Sequence, residues 1–210
     1  MEIIRTDKVV KRQNDKFTLG PIDLSLDAGR VLGVIGEPGA GKSTLLQLIW
    51  GFLRPDQGTV SVFRLQPHLN QLFVRRRAGY LPESRHFDDG MTAGRHMHFV
   101  SQFYEGWEET TADPLLERFG IDPGTCVRQL SEDGKTKLAL ISAVGHSPLL
   151  LLLDDPMVGL DAARREEIST FLKFLARERG IGIVVSSRST GDLENLADSV
   201  LFLRNGRIVA

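Results

Sequence analysis

Cysteine is nearly missing: Cys126 is the single one among 210 residues. No internal disulfide is possible, and a reducing compartment is the economical expectation. An excess of either charge is also lacking, since 26 Lys and Arg face 27 Asp and Glu, for a formal net charge of −1. That balance provides no global attraction to nucleic acid or to an anionic membrane surface. The longest stretch free of Asp, Glu, Lys and Arg is Leu138–Leu153, broken by Gly145-His146-Ser147-Pro148. It falls short of the ~20 apolar residues that a membrane span needs. Met1-Glu2-Ile3-Ile4-Arg5 has no apolar signal region, so an intracellular, soluble chain is expected. Repeats and low-complexity runs are absent. What is present is ordinary globular composition, 41% hydrophobic and 25% charged, at a length suited to one domain with its own core.

Apolar patterning organises the chain. Ile22–Leu26 alternates apolar and polar, Val31–Ile35 is a short apolar run, and Thr59–Phe63 follows the turn Pro55-Asp56-Gln57-Gly58. All three read as strands. Ser43–Trp50, with Leu45, Leu46, Leu48 and Ile49, reads as a helix stopped by Gly51. From Thr92 to about His146 the pattern is helical: Thr92 caps His96–Phe103, Pro114 opens Leu115–Phe119, and Ser131 opens a helix to Val144. Strands return at Leu149–Leu153, Ile181–Ser186, Val200–Leu203 and Ile208-Val209, with helices Arg164–Arg179 and Asp192–Ala197 between them. Such alternation implies an α/β fold with a mostly parallel sheet. A helical subdomain of about 85–147 is expected to stand off a core of about 1–84 and 148–210.

The strongest signal is Gly36-Glu37-Pro38-Gly39-Ala40-Gly41-Lys42-Ser43-Thr44. It matches G-x-x-x-x-G-K-[ST] in full, with a strand before it and a helix after it. Glycines there let backbone N–H groups turn inward around phosphate oxygens. Lys42 supplies a point charge for the β and γ phosphates, the Ser43 hydroxyl can coordinate Mg²⁺, and the helix N-terminus favours negative charge. These residues predict a nucleoside-triphosphate site. A second element is the apolar strand Leu149–Leu153 ending in Asp154-Asp155-Pro156. In phosphate-loop enzymes an acid there holds the Mg²⁺ hydration shell and a neighbour orients the attacking water. Asp154 is the metal-side candidate and Asp155 the water-side candidate.

Three further segments complete a pattern: Gly79-Tyr80-Leu81-Pro82-Glu83, Leu130-Ser131-Glu132-Asp133-Gly134-Lys135-Thr136-Lys137-Leu138, and Gly159-Leu160-Asp161. In this order and spacing the chain resembles, over nearly its whole length, the ATP-binding subunit of ABC transporters. Tyr80–Glu83, Lys135–Leu138, Phe103-Tyr104-Glu105-Gly106-Trp107 and Asp192-Leu193-Glu194 are most similar to ABC-2-type exporter subunits. The resemblance implies a P-loop NTPase fold with a mostly parallel sheet, an antiparallel β edge and a helical insertion. It implies that Gly36–Thr44 is Walker A, Asp154 the Walker B aspartate, Leu130–Gly134 the signature and Gly159–Asp161 the D-loop. Glu83 would sense Mg²⁺ and touch the membrane subunit through the helical insertion. Two such subunits pair head to tail in the family, each signature facing the partner's ATP. The implied cofactors are ATP and Mg²⁺. The implied partners are a second ATP-binding subunit, identical or paralogous, and an integral membrane permease, with no nucleic acid. The implied location is cytoplasmic, peripheral on the membrane through the permease.

Four positions depart from the family pattern. Asp155 stands where a catalytic glutamate is usual, one methylene shorter, and a misplacement of roughly 1 Å can cost on the order of 10²-fold in rate. Arg188 replaces the switch histidine and brings a permanent charge with a fork of donors. It either clamps the triphosphate or stabilises transition-state charge. Glu132 and Asp133 replace the two signature glycines and would repel a triphosphate unless turned away. The stacking aromatic expected near Val10–Asp15 is absent, with Phe17 the nearest substitute or a core residue beside Leu19. Two outcomes stay open: an ATPase that energises a permease, or an ATP-binding regulatory subunit with little hydrolysis, paired with an intact paralogue. A chromosome or DNA-repair ATPase is disfavoured by the absence of heptads. Among weaker signals, Arg75-Arg76-Arg77 reads as a solvated basic run and Cys126 as a small core or loop residue. His96 and His98, at i and i+2 on a helix, diverge too far for a metal pair. Phe99, Phe103, Tyr104 and Trp107 form an aromatic cluster, either helix packing or an exposed seat for a membrane subunit.

Overall fold

The chain opens on a hairpin, β1 (Glu2–Asn14) and β2 (Phe17–Asp27), followed by β3 (Val31–Ile35), α1 (Lys42–Ile49), β4 (Gln57–Val62), α2 (Gln71–Arg75) and β5 (Ala78–Leu81). Three helices follow, α3 (Ala93–Ser101), α4 (Glu109–Arg118) and α5 (Glu132–Val144). The chain closes with β6 (Leu150–Leu153), α6 (Ala162–Arg179), β7 (Gly182–Ser187), β8 (Ser199–Arg204) and β9 (Arg207–Val209). This computed structural model describes residues 1–104, 107 and 109–209. Glu105 and Gly106, in the aromatic segment quoted above, lie outside the described residues.

Six strands form one sheet in the order β5-β6-β7-β3-β8-β9, parallel except for the β8–β9 pair. A separate antiparallel sheet has the order β2-β1-β4. Every residue of β3, β6 and β7 is buried, as expected of parallel strands covered on both faces. The two-residue period shows which face each side chain serves. Leu150 and Leu152 join the cluster that holds α1 and the antiparallel sheet, whereas Leu151 and Leu153 join the one that holds α5 and α6.

The helical segment shares buried side chains with the sheet and with α6. Met97, Leu116, Phe119 and Val127 lie in the same hydrophobic cluster as Val185 of β7 and Phe171 of α6, and the Phe119 and Phe171 rings meet edge to face at 5.1 Å. Pro114 does not open α4 but lies inside it. It removes one amide from the helix ladder, yet burial of Leu116 and Phe119 carries the helix through. The helix expected over Asp192–Ala197 is a 3-10 turn, Thr190–Asp192, with bonded turns after it. Asp192 is spent on Ser187 Oγ and Arg165 instead of capping, and a short isolated helix has too few bonds to offset its nucleus. Strand β1 is a further addition. Its pairing with β2 carries several register shifts, which break the alternation that would have revealed it.

The aromatic cluster divides. Tyr104 stacks on His146 with centroids 3.9 Å apart, while Phe99 and Phe103 pair edge to face with 47% and 67% of their surface exposed. His96 Nε2 meets Ser142 Oγ at 3.2 Å and His98 meets Gln102. In the basic run, Arg75 and Arg77 lie over the rings of Trp50 and Phe73. Among the described residues no helix is long and apolar enough to cross a membrane.

Candidate nucleotide site

The C-terminal ends of β3, β6 and β7 meet the N-terminus of α1 around a cavity of about 510 Å³. Residues 36–44 form its floor. Backbone conformation dictates the glycines: Gly39 and Gly41 have φ of 80° and 110°, and a Cβ on Gly36 would stand 2.6 Å from the Leu203 carbonyl oxygen. Gly41 precedes α1 without any side-chain cap, and no acid occupies the first turn. The first amides of α1 therefore keep their donors for an anion. The loop is braced from outside. Gly36 N–H donates to the Ser187 carbonyl, Gly206 N–H to the Ala40 carbonyl, and Gly20 N–H to the Gly206 carbonyl. Thr44 Oγ1 donates to Gln13 Oε1 at 3.1 Å, tying α1 to β1.

Lys42 is 5% exposed and its Nζ donates to the Gly36 carbonyl at 2.8 Å. Asp154 and Asp155 follow β6, 2% and 3% exposed. Ser186 Oγ donates to Asp154 Oδ1 at 2.7 Å and accepts from Asp155 N–H at 2.9 Å. Burial raises the Asp154 carboxyl above the usual carboxylate range, and hydroxyl donors on Ser43 and Ser186 oppose that rise. Asp155 is held in the left-handed region at φ 46°. Its Oδ2 lies 3.5 Å from Lys42 Nζ and 3.4 Å from Arg188 Nε, while its Oδ1 is buried without a partner. Arg188 also binds Glu83 through Nη2. Lys42, Asp155, Arg188 and Glu83 thus form one continuous ion-paired wall beside the loop.

Pro38, Gly39, Gly41, Lys42, Ser43, Thr44, Phe17, Glu83, Asp155 and Arg188 line this cavity together. Gly36 and Ala40 are buried beneath it and Glu37 is exposed. Asn14 Oδ1 accepts from the N–H groups of Lys16 and Phe17, closing the β1–β2 turn so that Phe17 packs over Gly41. Gln13, Asn14 and Ser186 were not anticipated. The first two lie in the stretch Val10–Asp15, which lacks an aromatic, and Ser186 lies in β7.

The signature segment Leu130–Gly134 is absent from the cavity lining. Ser131 caps α5, its Oγ accepting from Gly134 N–H at 3.1 Å. Glu132 points outward with 84% of its side chain exposed, whereas Asp133 is paired with Lys137 at 3.3 Å and Arg164 at 3.0 Å. Asp161 caps α6, accepting from Arg164 N–H at 2.9 Å, with Gly159 at φ 80° and Leu160 buried before it. Helices α5 and α6 are therefore joined through Asp133, Arg164 and Asp161.

The ABC transporter family model matches residues 19–158. The chain belongs to the ABC transporter family. Relatives of this ABC ATP-binding domain include the bacitracin transport ATP-binding protein BcrA of Bacillus licheniformis, 28% identical over 99% of this chain and 68% of that one. The daunorubicin resistance ATP-binding protein DrrA3 of Streptomyces coeruleorubidus is 31% identical over 99% and 67%. Among solved structures, an ATP-binding subunit of an ABC transporter superposes with a TM-score of 0.87 at 25% identity, covering 99% of this chain and 88% of that one. The dimeric bacterial cassette MJ0796, at 21% identity, shares the fold with a TM-score of 0.85 over 99% and 97%. The phosphate-loop α/β architecture is that of ABC ATPase cassettes. The chain is an ATP-binding subunit of the kind that energises a membrane permease.

Among the described residues, no group of three or more His, Cys, Asp or Glu side chains converges as a metal site. Mg²⁺ is ordinarily held by one or two carboxylates together with substrate phosphates. Ser43, whose hydroxyl lowers the Asp154 carboxyl against its burial, and Glu83 at the rim are the donors on hand.

Proposed function

We propose that this chain binds and hydrolyses ATP at the cavity formed by 36–44, Glu83, Asp155 and Arg188, and drives export through a separate permease. The carrying observation is the convergence of an uncapped helix N-terminus, a buried lysine and a buried, half-unpartnered carboxylate on one cavity. Backbone amides of 39–44 would hold the α and β phosphates, and Lys42 would move from Asp155 to the β and γ phosphates. Ser43, Asp154 and Glu83 would hold Mg²⁺, which supplies charge neutralisation between phosphate oxygens. Asp155 would orient water, using the Oδ1 that now lacks a partner, while Arg188 faces the γ-phosphate end. Phe17 would lie against the base or ribose. Glu132 would face outward toward a second subunit, whether a copy or a paralogue, with Ser131 at the helix start. Attachment to the cytoplasmic face would come through the permease.

The hold on Asp155 by both Lys42 and Arg188 supports slow turnover, because the carboxylate must be freed before it can act. It also sustains the second reading, an ATP-binding subunit with little hydrolysis. Phosphate release at saturating ATP, with Mg²⁺ and with chelator, separates the readings. Mg²⁺-dependent release lost in Lys42→Ala supports hydrolysis. Nucleotide binding with no release supports the regulatory subunit. Failure to bind ATP rejects both.

A further inference from the structure

Between the nucleotide cavity and α5 lies a guanidinium that the phosphate chemistry leaves unused. Arg85 follows Glu83 by two residues and is half-buried. Its Nη1 donates to Thr136 Oγ1 at 2.9 Å, and its Nη2 reaches the Asp155 carbonyl at 3.5 Å. Thr136 is 1% exposed, and its hydroxyl donates in turn to the Glu132 carbonyl at 2.9 Å. The result is a continuous relay: Glu132 carbonyl, Thr136 hydroxyl, Arg85 guanidinium, Asp155 carbonyl. One end is the first turn of α5. The other is the strained turn that carries the cavity carboxylate, whose left-handed backbone at φ 46° persists only where its surroundings enforce it.

Other supports of that turn come from β7 and from within the turn. Asp155 N–H donates to Ser186 Oγ, and Val158 N–H reaches the Asp155 carbonyl at 3.4 Å. Arg85 is the support that reaches to a different layer. Its Nε is buried without a partner, so the guanidinium is held along the edge that faces Thr136 and Asp155. A charged donor gives each bond more strength than a neutral one would, and Thr136, as a buried hydroxyl, has both its donor and its acceptor role filled.

We propose that Arg85 is a positioning residue that transmits the placement of α5, through the Thr136 hydroxyl, to the Asp155 turn. The proposal rests on the reading of Asp155 as the ATPase carboxylate. Displacement of the first turn of α5 would draw on Arg85 and shift Asp155 relative to Lys42 and Arg188. Binding of phosphates to 36–44 does not pass through this relay, so affinity and turnover separate.

Two substitutions at one position test it. Thr136→Val keeps the shape and removes the hydroxyl, whereas Thr136→Ser keeps the hydroxyl. In the nucleotide-free full chain, hydrogen–deuterium exchange is followed over 130–136 and 154–158. Thr136→Val is expected to raise exchange in both segments, and Thr136→Ser in neither. In phosphate release, Thr136→Val should lower kcat about tenfold, as the loss of a charge-assisted hydrogen bond would, with affinity for a fluorescent ATP analogue within about twofold of wild type. Arg85→Gln should behave as Thr136→Val does, and it decides the question should the valine variant fail to fold. Increased exchange confined to α5, with kcat unchanged, would overturn the proposal and leave Arg85 a local strut. Equal loss in the valine and serine variants would overturn it too. A wild-type chain that binds ATP but releases no phosphate would refute the ATPase reading, and exchange at 154–158 would then judge the relay by itself.

Discussion

On the floor of the cavity, 36–44 presents backbone amides whose directions are set by φ values that glycine alone adopts readily. On the facing wall, Glu83, Asp155 and Arg188 present side chains already paired with one another and with Lys42. The floor is unsatisfied and waiting, because no acid or cap fills the start of α1. The wall is satisfied except for Asp155 Oδ1. Phosphate binding adds bonds on the first surface and must exchange bonds on the second. Affinity should depend chiefly on the floor and rate on the wall.

The sharpest break is at Lys42, which belongs to both surfaces. Lys42→Ala should weaken a fluorescent ATP analogue on the order of 100-fold, since charge-assisted bonds to phosphate contribute about 1.5–3 kcal/mol. Affinity equal to wild type would remove the floor from the binding site. On the wall, Asp155→Asn should cut phosphate release about 100-fold, the scale of a lost base, and Asp155→Glu should raise release about tenfold by restoring reach. Unchanged turnover in both would mean that Asp155 is not the water-orienting group, and Glu83 would be tested next.

A smaller effect tests the wall's charge. Asp155→Asn removes one negative charge beside Lys42 and should tighten ATP several-fold, roughly what partly screened charges deliver. Arg188→His at pH 8 removes a positive charge and should loosen ATP by a similar factor, with the double mutant near wild type. Movement of both singles in the same direction would show that charge does not govern the wall. The smallest effect separates the two signature acids. Asp133→Gly loses the contacts to Lys137 and Arg164 and should lower unfolding stability by about 1–2 kcal/mol in urea titration. Glu132→Gly should leave stability nearly unchanged and raise ATP-dependent dimer in light scattering. Loss of dimer in Glu132→Gly would place that carboxylate away from phosphate.

The difference between floor and wall also explains what could be read from residues alone. Glycine and lysine at fixed spacing encode a backbone shape directly, so 36–44 could be assigned without any partner in view. The strands β3, β6 and β7 were legible for a related reason: burial on both faces writes a continuous apolar run. Nothing comparable marks Arg85 or Gln13, whose roles arise from partners far away in the chain. Asp133 shows the same limit. Its carboxylate reads as a repulsive intruder near phosphate, yet Lys137 and Arg164 already neutralise it. Strand β1 is hidden because its bulges break the alternation, and Pro114 reads as a helix start because the packing of Leu116 and Phe119 is a tertiary effect.

The contact of Gly206 with Ala40 and Gly20 has a kinetic meaning. Gly206 adopts φ 77°, and any Cβ on it would strike the Thr18 carbonyl at 2.1 Å. The tip of the β8–β9 hairpin is therefore wedged between β2 and the phosphate loop, a keystone that keeps the empty cradle from folding in on itself. A triphosphate arriving by diffusion meets a mould already cast during folding, with little loop ordering left to slow its capture. On the proposed reading, the slow event lies on the far side of the cavity, where Asp155 would have to be released from Lys42 and Arg188.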